Sequence, residues 1–207
     1  MSLMKRIFST ESTGKRLSIA FLDTGISPVA DFILPENRIL AFRDFINGRT
    51  EPYDDNGHGT HVAGIIAMEN NNVGGVGIAY KSKIMPIKAG GSDGTFNSTD
   101  IAKAIVYAYK NGADVINMSF GSSAHSALIE NALQDAFGSC VLVAAAGNKS
   151  VPTADCPLGG QNMYPASYSY VIGVMAYDEN NKFASFSNWD YKPNANAEYE
   201  VVAPGVS

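Results

Sequence analysis

Several short and nearly continuous apolar runs recur along the chain. They are residues 17–23, 83–88, 113–118, 140–146 and 170–176. Runs of this length without polar alternation are typical of strands that are buried on both faces of a parallel sheet. The pattern therefore predicts parallel strands at these positions.

Helical patterns of apolar and polar residues lie between these runs. They cover residues 58–70, 100–111 and 123–137. Gly112 and Gly138 follow the last two segments, and a glycine just past a helix is a common C-terminal stop. Strands that alternate with helices predict an α/β fold, a doubly wound and mostly parallel sheet with helices on both faces. The polar and Asn-rich residues 180–199 predict an extended surface loop.

The composition is typical of one soluble domain and argues against a polyanionic partner. The 207 residues are 45% hydrophobic and 17% charged, and 15 Lys and Arg stand against 20 Asp and Glu, a formal net charge of −5. A sizeable core can form at this length, and no apolar stretch reaches the roughly 18 residues of a membrane span. Phosphate binding needs clustered cations, so we expect no nucleic acid partner and no membrane.

The cysteines are too few for a disulfide scaffold. Cys140 and Cys156 also lack the spacing of a zinc knuckle. We expect two unpaired thiols, and the sequence leaves a bridge between them open.

A candidate carboxylate ends the first predicted strand. Asp23 begins the tripeptide Asp23-Thr24-Gly25, at the sheet edge where functional groups gather in such folds. The tripeptide also occurs in aspartic proteases, but their chemistry needs two carboxylates, and no second Asp-Thr-Gly or Asp-Ser-Gly occurs in the chain. A carboxylate that caps a turn is the other interpretation.

A more specific pattern surrounds His58. Residues 56–64 read NGHGTHVAG, so glycines flank this histidine at the start of a predicted helix and leave its imidazole accessible. His58 and His61 share a helical face and could bind a metal, with His125 or a carboxylate as a further ligand. Zinc hydrolases usually space these histidines by four and place a glutamate between them, which this run lacks. A helix-capping histidine without chemistry is the third interpretation.

Taken together, the motifs resemble those of the subtilisin-like serine proteases, the subtilase or peptidase S8 family. They are residues 23–25 (DTG), 58–64 (HGTHVAG), 117–121 (NMSFG), 145–148 (AAGN) and 202–207 (VAPGVS). Their order is that of the family. The resemblance implies a subtilisin-like catalytic domain over residues 17–207, after a leader or N-terminal extension at residues 1–16.

The resemblance implies catalytic roles for Asp23, His58 and Asn148. In subtilisin the acid and the base stand about 32 residues apart, and the base and the oxyanion amide about 91; here the separations are 35 and 90. His58 would take the proton of a serine hydroxyl, and Asp23 would hold the imidazole in the required tautomer. The Asn148 amide would donate to the oxyanion, an interaction of roughly 3 to 4 kcal/mol.

The family's serine motif, of the type Gly-Thr-Ser-Met-Ala, does not occur in the chain. The spacing in subtilisin puts the nucleophile about 66 residues after the oxyanion amide, beyond Ser207. Neither Ser207 nor Ser119 has the motif around it. We expect a serine endopeptidase domain that is incomplete at its C-terminus and inactive alone, with its apolar surface covered by a C-terminal fragment or by self-association. The alternative is a catalytically dead domain that binds peptides or a partner.

The resemblance also implies a cleft for an extended polypeptide substrate. One wall would be Gly94, Thr95 and Phe96, and the other Ser119, Phe120 and Gly121. A substrate would add between them as a strand, through main-chain hydrogen bonds. Gly147 would keep the approach to Asn148 open. Phe120 and residues 144–147 suggest an apolar preference for the residue before the scissile bond, and ordinary loops are the alternative for both walls.

A structural calcium site is the last implication of the resemblance. The ligands would be the Asp31 carboxylate, the Asn71 side chain and the carbonyls of Glu69, Val73 and Gly75. Such an all-oxygen set suits a hard cation. A solvated Asn-rich turn is the alternative.

The N-terminus bears on localisation. Residues 1–15 lack the apolar centre of a signal peptide, and Met1-Ser2-Leu3 before Met4 resembles a short leader joined to a native start. We expect a cytoplasmic protein if Met4 is the native start, and a secreted one otherwise.

Overall fold

A parallel sheet of seven strands forms the centre of the computed structural model, which describes residues 13–191 and 197–206. The strands are β1 (Ser18–Asp23), β2 (Arg43–Asp44), β3 (Lys83–Lys88), β4 (Val115–Met118), β5 (Val141–Ala145), β6 (Ile172–Tyr177) and β7 (Val201–Pro204). Their order is β2-β3-β1-β4-β5-β6-β7, and each neighbouring pair is parallel. The strand order changes direction at β1, as in a doubly wound sheet.

Helices cover both faces of this sheet, which confirms the predicted fold class. They are α1 (Ala30–Ile33), α2 (His58–Ala67), α3 (Ser98–Lys110) and α4 (Ala127–Phe137). Ile19 and Phe21 of β1 pack with α1 and α2, whereas Ala20 and Leu22 belong to the larger core beneath α3 and α4. Alternate side chains of a strand point to opposite faces, so β1 is buried on both sides and its sequence is continuously apolar.

Two helix boundaries differ from the prediction, and in both cases a side chain binds the backbone at the end of the helix. The helix predicted over residues 58–70 ends at Ala67, whose carbonyl accepts a hydrogen bond of 2.7 Å from the buried Arg38. The helix predicted over residues 123–137 begins only at Ala127, because Ser126 caps it. Its hydroxyl accepts from the backbone N–H of Ile129, and an N-cap residue lies outside the helix.

The segment predicted as a surface loop, residues 180–199, forms no helix or strand among its described residues, which exclude 192–196, but several of its side chains are buried. Asn188 is fully buried, and its side chain accepts from the backbone N–H of Lys149 and donates to the carbonyl of Ala146. Tyr199 is also buried. Polar side chains here bind the backbone of a neighbouring loop, and that partner is not visible in the local pattern.

Both cysteines are buried free thiols. Cys140 donates to the carbonyl of Ala113 at 3.0 Å, and burial raises the pKa of its thiol to about 11, with a further contribution from the charge of Asp114. A thiol with so high a pKa is a poor nucleophile. Cys140 is therefore a packing residue.

Two further sequence predictions concern a membrane span and the chain termini. Among the residues with described positions, no helix is both long and apolar enough to cross a membrane. The leader predicted at residues 1–16 lies largely outside the described residues, and Ser207 lies wholly outside them.

Candidate active site

Asp23 and His58 meet at the carboxyl edge of the sheet. Asp23 ends β1 and is 1% exposed, and His58 opens α2. The distance from Asp23 Oδ1 to His58 Nδ1 is 2.7 Å, although the residues are 35 positions apart. A carboxylate at Nδ1 fixes the tautomer with the proton on that nitrogen, so that Nε2 is left as the basic atom of the neutral ring.

The environment of the Asp23 carboxylate is asymmetric. Its Oδ1 also accepts from the backbone N–H of Thr24 at 2.7 Å, whereas Oδ2 is buried and has no partner in the described part of the chain. Burial raises the pKa of Asp23 above its ordinary value, against the lowering effect of the hydrogen bonds from His58 and Thr24. The charge of Asp23 is therefore stabilised through one oxygen, which is the oxygen that holds His58.

Three side chains bind the first backbone N–H groups of α2, which otherwise have no partner at a helix start. The pairs are Asn56 Oδ1 with His58 N at 3.2 Å, Thr24 Oγ1 with Gly59 N at 3.1 Å, and Asp54 Oδ2 with Thr60 N at 2.9 Å. Thr24 follows the catalytic candidate Asp23 directly. The same hydrogen bonds that cap the helix thus tie it to the end of β1.

The two glycines that flank His58 are required for different structural reasons. A Cβ on Gly59 would lie 2.1 Å from the carbonyl oxygen of Gly25 and 3.0 Å from Asp23 Cβ, so α2 packs directly on the turn after β1. Gly57 has open space around it but a φ of 100°, a conformation that favours glycine. The sequence predicts access to the imidazole as the role of both glycines, and it gives no local sign of the close packing at Gly59.

The two predicted walls form one cleft together with His58. Its lining includes Gly94, Thr95, Phe96, Ser119, Phe120 and Gly121, and its volume is about 590 Å³. The rings of Phe96 and Phe120, one from each wall, are stacked with centroids 4.6 Å apart. Sequence reasoning did not find the far end of the cleft, where Tyr164 and Tyr168 pack edge-on against His125.

The histidines do not come together as a metal site. His125 Nε2 lies 2.8 Å from Glu130 Oε2, and His61 lines a different groove. Among the described residues, no group of three or more His, Cys, Asp or Glu side chains could hold a metal ion. The interpretation of His58, His61 and His125 as ligands of one metal is not supported by this arrangement.

Gly147 and Asn148 follow β5 and line a second groove beside the cleft. This groove, of about 460 Å³, lies between α2 and the carboxyl ends of the central strands. A Cβ on Gly147 would meet the Asn188 amide at 2.8 Å, and the φ of Gly147 is 105°. Ser119 lines both cavities and so marks where the cleft and the groove meet.

No described serine is hydrogen-bonded to the imidazole of His58. The Ser119 hydroxyl instead accepts from the Asn117 side chain at 2.9 Å. Ser119 is thus a wall residue in this arrangement, and the basic Nε2 of His58 has no hydroxyl partner among the described residues.

The predicted calcium ligands are only partly assembled. Asn71 donates from its side chain to Asp31 Oδ1 at 2.8 Å, and its own Oδ1 accepts from the backbone N–H of Val73 at 2.9 Å. Gly75 lines the same cavity as Asp31, while the Glu69 carboxylate lies 3.5 Å from Arg38 Nε. A half-turn of the Asn71 carboxamide would bring its oxygen beside Asp31, so the donor types fit a hard cation.

Comparisons with known proteins agree with this geometry. Residues 14–207 match the model of the subtilase family. The chain is 40% identical over 192 residues to the thermophilic serine proteinase of Bacillus sp. (strain AK1). The aligned region covers 91% of the chain and 43% of that protein. The chain is 38% identical over 195 residues to subtilisin Savinase of Lederbergia lenta, covering 94% of the chain and 66% of that protein.

A solved structure shows the same fold. It is a cold-adapted subtilisin-like serine proteinase, with a TM-score of 0.77 and 25% identity over 96% of the chain and 66% of the solved chain. The chain thus spans between 43% and 66% of the length of these relatives. The order of motifs, the paired Asp23 and His58 and the match over residues 14–207 lead to one assignment: the chain belongs to the subtilase family.

Proposed function

We propose that the protein is a serine endopeptidase, and that residues 17–207 are the part of its catalytic domain that includes the Asp23–His58 pair. The observation that carries this proposal is the 2.7 Å contact between a buried carboxylate and an imidazole that lines a cleft. With Nδ1–H held by Asp23, His58 Nε2 takes the proton of a serine hydroxyl as the hydroxyl attacks the scissile carbonyl. Asp23 stabilises the imidazolium, which then gives the proton to the leaving amine.

Asn148 is the proposed oxyanion donor. Asn148 follows β5 and lines the groove that meets the cleft at Ser119, which supports this role. A side-chain amide in this role lowers the barrier by about 3 to 4 kcal/mol, because it donates to an oxygen that becomes negative only during the reaction.

The proposed substrate is an extended polypeptide that lies between the two walls. Main-chain hydrogen bonds to residues 94–96 and 119–121 would hold it independently of its sequence. Phe96, Phe120 and the tyrosines at the far end make the cleft largely apolar. An apolar side-chain preference follows, and a panel of short peptides would measure it.

The apolar groove beside α2 supports the proposal that the nucleophile lies on a separate segment, outside residues 17–207. Ile65 and Phe186 line it and are 60% and 38% exposed, although both are large and apolar. A helix with an apolar face would cover these side chains. Such a helix could begin near Ser119 and Asn148 and present a serine to His58, whereas a domain that only binds peptides would not need the Asp23–His58 contact.

Labelling with a fluorophosphonate tests the proposal, because this reagent reacts only with activated serines. We expect no labelling of a polypeptide limited to these 207 residues. A longer chain that continues into a Gly-Thr-Ser segment should be labelled at that serine and should cleave peptides. His58→Ala should suppress both signals, since the activating base is gone. Strong labelling of the 207-residue polypeptide at Ser119 would contradict the proposal.

We also propose a calcium ion at Asp31 and Asn71. The carboxylate and the carboxamide lie side by side, at the edge of the loop that follows α2. The ion would be held by these two side chains and by the carbonyls of Glu69, Val73 and Gly75. Its contribution would be to join that loop to α1, away from the reacting groups.

A further inference from the structure

Lys88 is a charged residue without a role in the proposed chemistry, yet it is fully buried. It ends β3 and pairs in register with Asp23 at the end of β1. An ammonium group removed from water is costly unless acceptors surround it. The groups that accept hydrogen bonds from Lys88 therefore indicate which parts of the structure the buried charge holds together.

Every donor of the Lys88 ammonium group has an acceptor. The distances from Nζ are 2.7 Å to the carbonyl of Thr24, 2.6 Å to the Asp55 carboxylate and 2.9 Å to the carbonyl of Gly90. The ring of Tyr53 adds a cation–π contact, with its centroid 5.2 Å from Nζ. All three N–H groups of the ammonium can thus be hydrogen-bonded, as a buried cation requires.

The three acceptors belong to three different segments of the candidate active site. Thr24 follows Asp23, Asp55 precedes His58 by three residues, and Gly90 forms a β-bridge with Phe96 of the substrate wall. One side chain therefore connects the carboxylate, the turn into α2 and the wall of the cleft.

We propose that Lys88 is a positioning residue that sets the placement of Asp23, His58 and the 94–96 wall relative to one another. A role in stability alone explains it poorly, because well-packed apolar residues commonly replace buried ion pairs without loss of stability. Asp55 is also 34% exposed, so water could solvate it if Lys88 were apolar. The proposal rests on the proposed function for its catalytic meaning, but its test does not need activity.

The test follows the proton between His58 Nδ1 and Asp23 Oδ1 by NMR in the 207-residue polypeptide, where such a hydrogen bond gives a resonance at very low field. Lys88→Met removes the charge and keeps the length of the side chain. We expect the resonance to be lost or displaced, and the pH profile of the His58 ring signals to change. Lys83→Met is the matched control, because Lys83 lies on the same strand, is 33% exposed and pairs with Glu36 at the surface. It should leave both signals unchanged.

A second pair of variants decides the matter if Lys88→Met fails to fold. Asp55→Ala cuts the connection to the turn before His58 and should displace the resonance, whereas Asp55→Asn keeps an acceptor oxygen for Lys88 and should restore it. The inference would be overturned if Lys88→Met and Asp55→Ala both showed the wild-type signals. If Lys88→Met is unfolded, wild-type signals in Asp55→Ala alone would overturn it. Absence of the resonance from the wild-type chain would also overturn it. A complete enzyme without peptidase activity would refute the proposed function and leave these signals unaffected.

Discussion

At Gly59 the backbone of the helix that carries His58 packs directly against the turn after β1. A methyl group there would lie 2.1 Å from the Gly25 carbonyl oxygen. The helix can approach Asp23 only because residue 59 has no side chain. The contact between His58 and Asp23 therefore depends on a neighbour that has no functional group.

We predict that Gly59→Ala destabilises the fold by about 1 to 3 kcal/mol, the usual range for overpacking. The added methyl group should also push α2 away from Asp23 and weaken the hydrogen bond to His58. Urea unfolding measures the first effect and the low-field proton resonance the second.

Gly138→Ala is the control for this substitution. Gly138 has a φ of −70° and open space around its Cα, so its unfolding free energy should change by less than about 0.5 kcal/mol. A Gly59→Ala chain as stable as Gly138→Ala would show that the backbones can move apart without cost.

The sequence predicts some of these residues and not others, for physical reasons. Asp23 and His58 stand in local motifs, and the resemblance assigns them to one site. Lys88 ends an apolar run, and two of its three acceptors, Thr24 and Asp55, lie 64 and 33 residues earlier in the chain. Asn188 is similar, because its partners lie about 40 residues earlier in the chain. Partners that arrive through the tertiary fold leave no local signal.

At the scale of elements, α2 depends on a carboxylate outside the helix. Asp54 accepts hydrogen bonds from the backbone N–H groups of Gly57 and Thr60, and from the hydroxyls of Thr24 and Thr60. Burial raises the pKa of Asp54, but these hydrogen bonds outweigh it, so its pKa lies below the ordinary value. Negative charge at a helix start is favourable as well.

We predict that Asp54→Ala costs about 1 to 2 kcal/mol near neutral pH, since it removes a cap with several hydrogen bonds. The folded-state pKa is depressed from 3.8. The contribution of Asp54 is therefore complete above that value and is lost as the pH falls through the lower folded-state pKa.

Urea unfolding of the wild type and the variant at several pH values checks this. The difference between the two chains should shrink below about pH 3.8. Asp54→Asn, which keeps one acceptor oxygen, should lie between them at neutral pH. A difference that is constant with pH would rule out the ionised carboxylate as its source.

The predictability of the elements follows their burial. The strands β1, β3, β4, β5 and β6 were predicted within two residues at each end, because their runs are apolar enough to be recognised. Strand β7 is largely exposed at the sheet edge. Strand β2 consists of two charged residues, and the apolar run of β7 is only four residues long and ends in a proline, so the sequence predicts neither.

At the scale of the molecule, the proposed calcium ion would connect parts that are far apart in sequence. Asp31 lies in α1, on one side of β1, and Asn71 lies 40 residues later, beyond α2. An ion that binds only the folded chain stabilises it by about 2.7 kcal/mol at one hundred times its Kd. For a chain of this size the melting temperature would rise by roughly 5 to 10 °C.

Thermal melts with calcium and with a chelator measure this effect. Asp31→Ala should abolish the difference between the two conditions. Asp178→Ala should keep it, since the Asp178 carboxylate accepts from backbone groups of its own turn. Identical wild-type melts in calcium and chelator would remove the ion from the site.

The register of the sheet has a consequence for the order in which the chain can fold. The central strand β1 pairs Ser18 with Lys83 on one side and Ile19 with Val115 on the other. Both pairings close long loops, so conformational entropy must be lost before either strand contact forms. Until β1 has both neighbours, its apolar side chains remain exposed to other chains. Completion of the central sheet is therefore a slow step that competes with aggregation.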